Sequence, residues 1–326
     1  MPSRQSQLAV GMAAALLGLA LATAGLLVGV WLVFYALLSV FGVGAAASVA
    51  AGVTALVLPS IGYLEYRQIR TIERVADAER VTRETEPALY DLVTRVAAQL
   101  DVPVPTVAVS ERRTPEALAV GFRPENIHLV LSRGTLEALS GPAELEAVVA
   151  HELSHVKNRD AMVMTVVSLP VVLADGLRSR IAAVESPGWT LVVLIPLGVV
   201  STAVWVVGKA ITARLSRVRE HTADRVAAEV TGSPAALASA LGQLDRDIAA
   251  TPARDLREAS GISSLSILPL EPEELEKVML GPDGDREPSY WWLRTRLHAL
   301  ERWLFRTHPP TAERIESLST LERSRE

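Results

Sequence analysis

Hydrophobic and polar positions alternate in blocks along this chain. From Gln5 to Leu64 no residue is charged. A bilayer span needs about 20 apolar residues, so the run holds two. The pattern predicts one helix near 8–34, with an extension to 40 open, and another near 45–64. Phe41–Gly44 forms the turn, where glycine relaxes the backbone. A signal peptide cut after "ATA" at 22–24 is the rival, but the apolar run continues far beyond it. A second apolar block, 161–177 and 189–208, predicts another hairpin. Its first arm is short and carries Pro170 and Asp175, so a buried or re-entrant pair is the alternative to two full spans.

The intervening chain changes period. Leu89, Leu92, Val93, Val96 and Leu100 share one helical face, and Pro87 suits a first turn. Residues 105–110 alternate as a strand. The apolar runs 116–122 and 126–132 flank Arg-Pro-Glu and read as a hairpin, and a helix follows from about 143 to 159. Helix, small sheet and helix describe an α+β domain. After 232 the chain is helical again, and the Pro, Gly and charged residues of 250–290 predict a mobile loop. Residues 290–306 predict an amphipathic helix, with Leu293, Leu297, Leu300 and Leu304 on one face beside Trp292 and Trp303. It either lies at a lipid surface or packs on the catalytic domain. The predicted fold is therefore mainly α, an α+β catalytic domain with a small sheet plus about four transmembrane helices. The expected divisions are a membrane hairpin at 1–66, a catalytic region at 67–160, a second hairpin at 161–210 and a second catalytic region at 211–326.

Composition supports this picture. Of 326 residues 49% are hydrophobic, and the mean hydropathy of +0.27 is high for a soluble enzyme. The formal charge of −5 gives no reason to expect a nucleic-acid partner. With no cysteine, disulfides and thiolate metal sites are excluded, leaving His, Asp and Glu as ligands. Basic residues set the orientation. Arg4, Arg67, Arg70, Arg74, Lys157, Arg159, Lys209, Arg214, Arg217 and Arg219 fall on one side if both hairpins cross and return. That side is expected to be cytoplasmic, against a weaker opposing signal from Arg178 and Arg180.

The candidate chemistry lies in "VVAHELSHVKNRD", 148–160. Residues four apart share a helix face, so His151 and His155 can offer two imidazoles to one ion. Glu152, one step round, is placed to act as base. This is the H-E-x-x-H arrangement. The bland reading is a charged helix face with two ordinary histidines. Against it stand Ala147, Val148, Val149, Ala150 and Leu153, which would bury the helix and make an unpaired polar cluster costly. A catalytic zinc takes three protein ligands. "SRVREHTAD", 216–224, offers Glu220 or, as the rival, its neighbour His221, since carboxylate and imidazole both serve zinc. Asp224, four residues after Glu220, could fix a ligand histidine by hydrogen bonding.

With "AHELSHVKNRD" (150–160), "SRVREHTAD" (216–224) and "THPPTAERI" (307–315), the chain resembles the HtpX-type membrane zinc metalloproteases, zincins related to the CAAX prenyl endopeptidases. The hydrophobic hairpins on either side of the motif match that layout, while 245–300 matches poorly. The resemblance implies one zinc per chain on His151, His155 and Glu220, Glu152 as general base and Asp224 behind the ligands. It places His308 and Arg314 at the active site, supporting the oxyanion or the substrate backbone. Taken alone, that segment reads as a helix start after Pro-Pro. The resemblance also implies an edge strand that binds peptide by strand addition, here Ala117, Leu118, Ala119, Val120 and Gly121. Members of that family usually show a small-residue pattern with Asn near this point, and here Glu116 stands in that region instead.

The expected function is a membrane-embedded, zinc-dependent endopeptidase of the cell membrane. Its N-terminus and active site would be cytoplasmic, and misfolded or damaged membrane proteins would be its substrates in a stress response. The alternatives are a dedicated maturation protease for a peptide or lipidated precursor, and a catalytically silent membrane scaffold. Polypeptides and the lipid bilayer are the expected partners.

Overall fold

The computed structural model describes residues 4–72, 78–120, 127–139, 141–185, 188–250 and 290–325. Gly121, the Arg-Pro-Glu turn and nearly all of the 250–290 segment lie outside them. The chain divides into two compact units, one of Met1–Val75 with Val163–Leu215 and one of Ala76–Met162 with Ser216–Glu326.

The first unit is helical. Helices α1 (Arg4–Val40) and α2 (Ala46–Ile72) form the expected hairpin. At its closed end the Trp31 indole donates to the Ala47 carbonyl (3.1 Å). The unit also takes most of α6 (Asp160–Ala182) and the first part of α7 (Leu191–Thr231). Leu26, Val30, Leu58, Ala174, Leu177 and Leu197 pack together at its centre. The helices approach closely where glycine removes a side chain. A Cβ at Gly29 would lie 2.6 Å from Val200, and one at Gly208 2.7 Å from Val171, the small-residue contact usual between apolar helices. Among the described residues three helices are long and apolar enough to cross a membrane: Leu17–Val40, Asp160–Ala182 and the helix through Gly188–Thr231. The apolar stretch of α2, Ala46–Ile61, is shorter.

Two features were not foreseen. Helix α6 runs past Pro170 and Asp175 to Ala182, longer than the predicted arm. Helix α7 is unbroken for 41 residues. The apolar arm and the Glu220–Asp224 segment are one helix, because no Gly or Pro separates Lys209 from Glu220.

The second unit builds a four-stranded sheet from β1 (Ala78–Arg80), β2 (Thr106–Ser110), β3 (Ala117–Val120) and β4 (His128–Ser132), in the order β1-β2-β4-β3. Strands β2 and β4 run parallel, and β3 pairs antiparallel with β4, Ala119 opposite Leu129, as the predicted hairpin requires. Strand β3 is thus the sheet edge nearest the motif helix. Helix α3 (Pro87–Leu100) buries its predicted face and ends at Asp101 in the left-handed region. Helix α4 (Arg133–Ala138) is capped by the Ser132 hydroxyl accepting from the Thr135 amide. Helix α5 (Pro142–Lys157) starts at Gly141-Pro142 and carries the histidine motif. Helices α8 (Pro234–Ala250), α9 (Trp291–Phe305) and α10 (Thr311–Arg323) follow. Val93, Val96, Leu129, Leu131, Val148, Val149, Leu153, Leu237 and Leu241 form one core around α5.

At Gly134 a Cβ would stand 1.9 Å from the Arg113 carbonyl oxygen, a backbone atom that cannot step aside. Gly134→Ala is expected to destabilise the protein by at least about 2 kcal/mol. Thermal unfolding of the full chain in detergent checks this, and an unchanged midpoint would contradict it.

Candidate metal centre

The buried α5 brings His151 and His155 to one face, with Nε2 atoms 3.3 Å apart. Helix α7 sets Glu220 against both: its Oε2 is 3.5 Å from His151 Nε2 and its Oε1 3.6 Å from His155 Nε2. The three residues place ligand atoms within 4.8 Å of one another. His221, the rival, instead faces Glu313 at 3.6 Å.

The opposite ring nitrogens are matched to carboxylates. His151 Nδ1 lies 3.0 Å from Asp224 Oδ1, and His155 Nδ1 lies 2.6 Å from Asp160 Oδ2. An imidazole that donates from Nδ1 keeps a bare lone pair on Nε2. When both rings are neutral and donate from Nδ1, two such lone pairs and the Glu220 carboxylate converge. Glu220 Oε2 has no hydrogen-bond partner. Such a meeting of acceptors is costly when buried unless a proton or a metal cation joins it. The donor set suits a divalent ion of zinc's preference. Charge points the same way. The carboxylates Glu152, Asp160, Glu220 and Asp224 are all buried, against the guanidiniums of Arg219 and Arg314. With neutral imidazoles and four ionised carboxylates two negative charges remain, which two protons or one divalent ion would balance.

Each aspartate is held by an arginine. Arg314 is fully buried and grips Asp224 with two hydrogen bonds, Nε to Oδ2 (2.9 Å) and Nη2 to Oδ1 (2.6 Å). Its Nη1 is 3.8 Å from Glu220. Arg219 Nε is 3.0 Å from Asp160 Oδ2. His308, buried, places Nδ1 3.4 Å from Glu220 Oε2. Glu152 accepts the Ala119 amide of β3 on Oε2 (3.0 Å), and its Oε1 has no hydrogen-bond partner. The edge strand and the expected base are thereby joined directly.

The structure therefore brings together Glu152, His151, His155, Glu220, Asp224, His308, Arg314 and the edge strand through Ala119. Asp160 and Arg219 are additions that sequence reasoning missed. Asp160 reaches back because Arg159 takes the left-handed conformation (φ 54°) between α5 and α6. A carboxylate just beyond the second histidine was the available signal. Arg219 was read only as a flanking charge of a span.

Protonation follows from burial and these partners. Burial opposes the charged form of His151, but the neighbouring Asp224 and Glu220 carboxylates prevail and hold its pKa up, at about 9. At His155 burial prevails over Asp160 and Glu220 and lowers the pKa. Burial pushes Glu152 up to about 8; His151 opposes the rise and Glu220 adds to it.

A family model described as peptidase family M48 matches residues 83–322. Protease HtpX homolog 1 of Streptomyces coelicolor is 44% identical over 194 residues, 58% of this chain and 64% of that protein. The chain thus spans just under two thirds of that relative's length. Protease HtpX homolog of Moorella thermoacetica is 35% identical over 226 residues, 67% of this chain and 75% of its own. The Ste24p crystal structure from S. mikatae aligns over 79% of this chain and 56% of its own at 17% identity, with a TM-score of 0.42.

The raised values of His151 and Glu152 give one sign: the stability they contribute is complete below their unfolded values and is lost as pH rises through the folded ones. The lowered value of His155 acts in the opposite sense, but only below its unfolded value of 6.5. The chelated protein should therefore lose stability between about pH 6.5 and 9. Zinc uptake at neutral pH should release about one proton or more per ion, because ligand histidines bind in the neutral form. Calorimetry in buffers of different ionisation enthalpy measures the release, and uptake without it would contradict the assignment.

Proposed function

Because the chain belongs to peptidase family M48, we propose that it is a membrane-embedded, zinc-dependent endopeptidase. One observation carries the reading. A buried carboxylate, Glu152, keeps an unpartnered oxygen beside three converging metal-type donors. A purely structural cluster has no use for such an oxygen.

In this reading His151, His155 and Glu220 hold one zinc ion. When bound, zinc supplies Lewis acidity that polarises a scissile carbonyl and acidifies water. Glu152 is the general base. The Ala119 amide fixes its Oε2, which leaves Oε1 to take the proton of the attacking water and pass it to the leaving nitrogen. The peptide bond is replaced by a carboxylate and an amine, with water consumed. Substrate lies as an added strand along β3, whose outer edge borders Glu152. His308 faces substrate across Glu220 and donates to developing negative charge. Arg314 is given to Asp224 rather than to the oxyanion, since its guanidinium is fully buried in that pair. Asp224 and Asp160 hold the tautomer and aim of His151 and His155.

The basic residues near the apolar helices support a cytoplasmic N-terminus and active site. The apolar helices support membrane proteins, misfolded or damaged, as substrates in a stress response at the cell membrane.

Two variants test the chemistry. Glu152→Gln should keep about one zinc per chain yet cleave an unfolded model protein about 10²–10⁴-fold more slowly. Glu220→Ala should lose metal and cleavage together. Metal analysis and a proteolysis assay in detergent decide, and normal cleavage by either variant would overturn the assignment. Asp160→Asn should weaken zinc affinity about 10–100-fold, read by chelator competition, whereas an unchanged affinity would remove Asp160 from the site.

A further inference from the structure

We propose that α9 is an interfacial helix whose apolar face rests on an anionic lipid surface. No residue of α9 is buried. The side turned out is the more apolar one. Trp292, Leu297 and Trp303 are 62%, 55% and 72% exposed, with Leu293 and Leu300 between them. The half-covered positions are Trp291, Thr295, His298, Arg302, Leu304 and Phe305. A helix packed only for a water-soluble domain hides its leucines, and this one presents Leu293, Leu297 and Leu300.

Charge selects the occupant. Residues 290–306 hold Arg294, Arg296, Arg302 and Arg306 against Glu301 alone, in a chain whose formal charge is −5. That local excess of positive charge suits anionic headgroups. Arg296 lies over Trp292, its guanidinium carbon 5.8 Å from the ring centroid, so its stem follows the apolar face while its head can reach phosphate. Two tryptophans on the outer face match the preference of indole for the headgroup region. A second copy of the chain would set the same positive stripe against itself, which disfavours self-association through this face. Leucine spacing, outward tryptophans and arginine excess together are the features of a helix lying in the interface plane.

The absence of cysteine makes the test direct. Full-length protein carrying Leu297→Cys, or Thr295→Cys on the opposite side as reference, is labelled with an NBD fluorophore. It is placed in nanodiscs of phosphatidylcholine alone, or with about 30% phosphatidylglycerol. At position 297 the emission should shift to the blue by about 10 nm in the anionic discs, and doxyl-labelled lipid should quench it at least about twofold more than at 295. Replacing Arg294 and Arg296 by Glu should abolish the dependence on phosphatidylglycerol. Equal emission in both lipids would overturn the choice of an anionic surface. A blue shift that lipid quenchers do not touch would show that protein covers the face, either residues 251–289 or a second copy, and would overturn the proposal.

Discussion

The structure of the second unit turns on the burial of unlike numbers of charges. Four carboxylates and the Arg314 guanidinium are buried together, with the half-buried Arg219 beside them and two imidazoles whose Nε2 atoms face each other. Each ion alone would cost several kcal/mol to bury. The arginines answer the aspartates, the aspartates answer the inner ring nitrogens, and Glu220 remains. The cluster can hold a divalent cation there, and without one the raised pKa values of His151 and Glu152 let protons offset the excess negative charge.

That requirement explains the architecture around it. Helix α5 must be apolar on its other faces to sit inside the core, and Ala147, Val148, Val149, Ala150 and Leu153 make it so. Glu220 and Asp224 must arrive on a rigid element, which the unbroken α7 provides. The sheet contributes an edge rather than a face: β3 uses the Ala119 amide to fix Glu152 in place. Arg314 reaches Asp224 across 90 residues of sequence, which binds α10 to α7 through the site itself. Stability and chemistry are therefore coupled. Removing Asp224 would strip the buried Arg314 of two hydrogen bonds and leave Glu220, 3.8 Å away, as its nearest carboxylate.

Much of this was legible from spacing. The i, i+4 pairs His151/His155 and Glu220/Asp224 state their shared faces outright, and the hairpin register of β3 and β4 follows from two short apolar runs. What spacing could not supply were partners set by tertiary approach. The Asp160–His155 contact depends on Arg159 adopting a conformation that sequence favours only for glycine or asparagine. The target of Arg314 depends on where α10 docks. The length of α7 was hidden because its composition changes from apolar to charged midway, although nothing in it breaks a helix. In α9 the apolar face was plain, but its outward direction belongs to packing.

The most direct test of the account is X-ray absorption at the zinc edge of the purified full-length protein in detergent. One zinc per chain is predicted, with two imidazole scatterers and a carboxylate oxygen, and with the carboxylate contribution absent when Glu220 is replaced by Gln. A zinc shell built only of imidazoles, or one unchanged by that substitution, would contradict it.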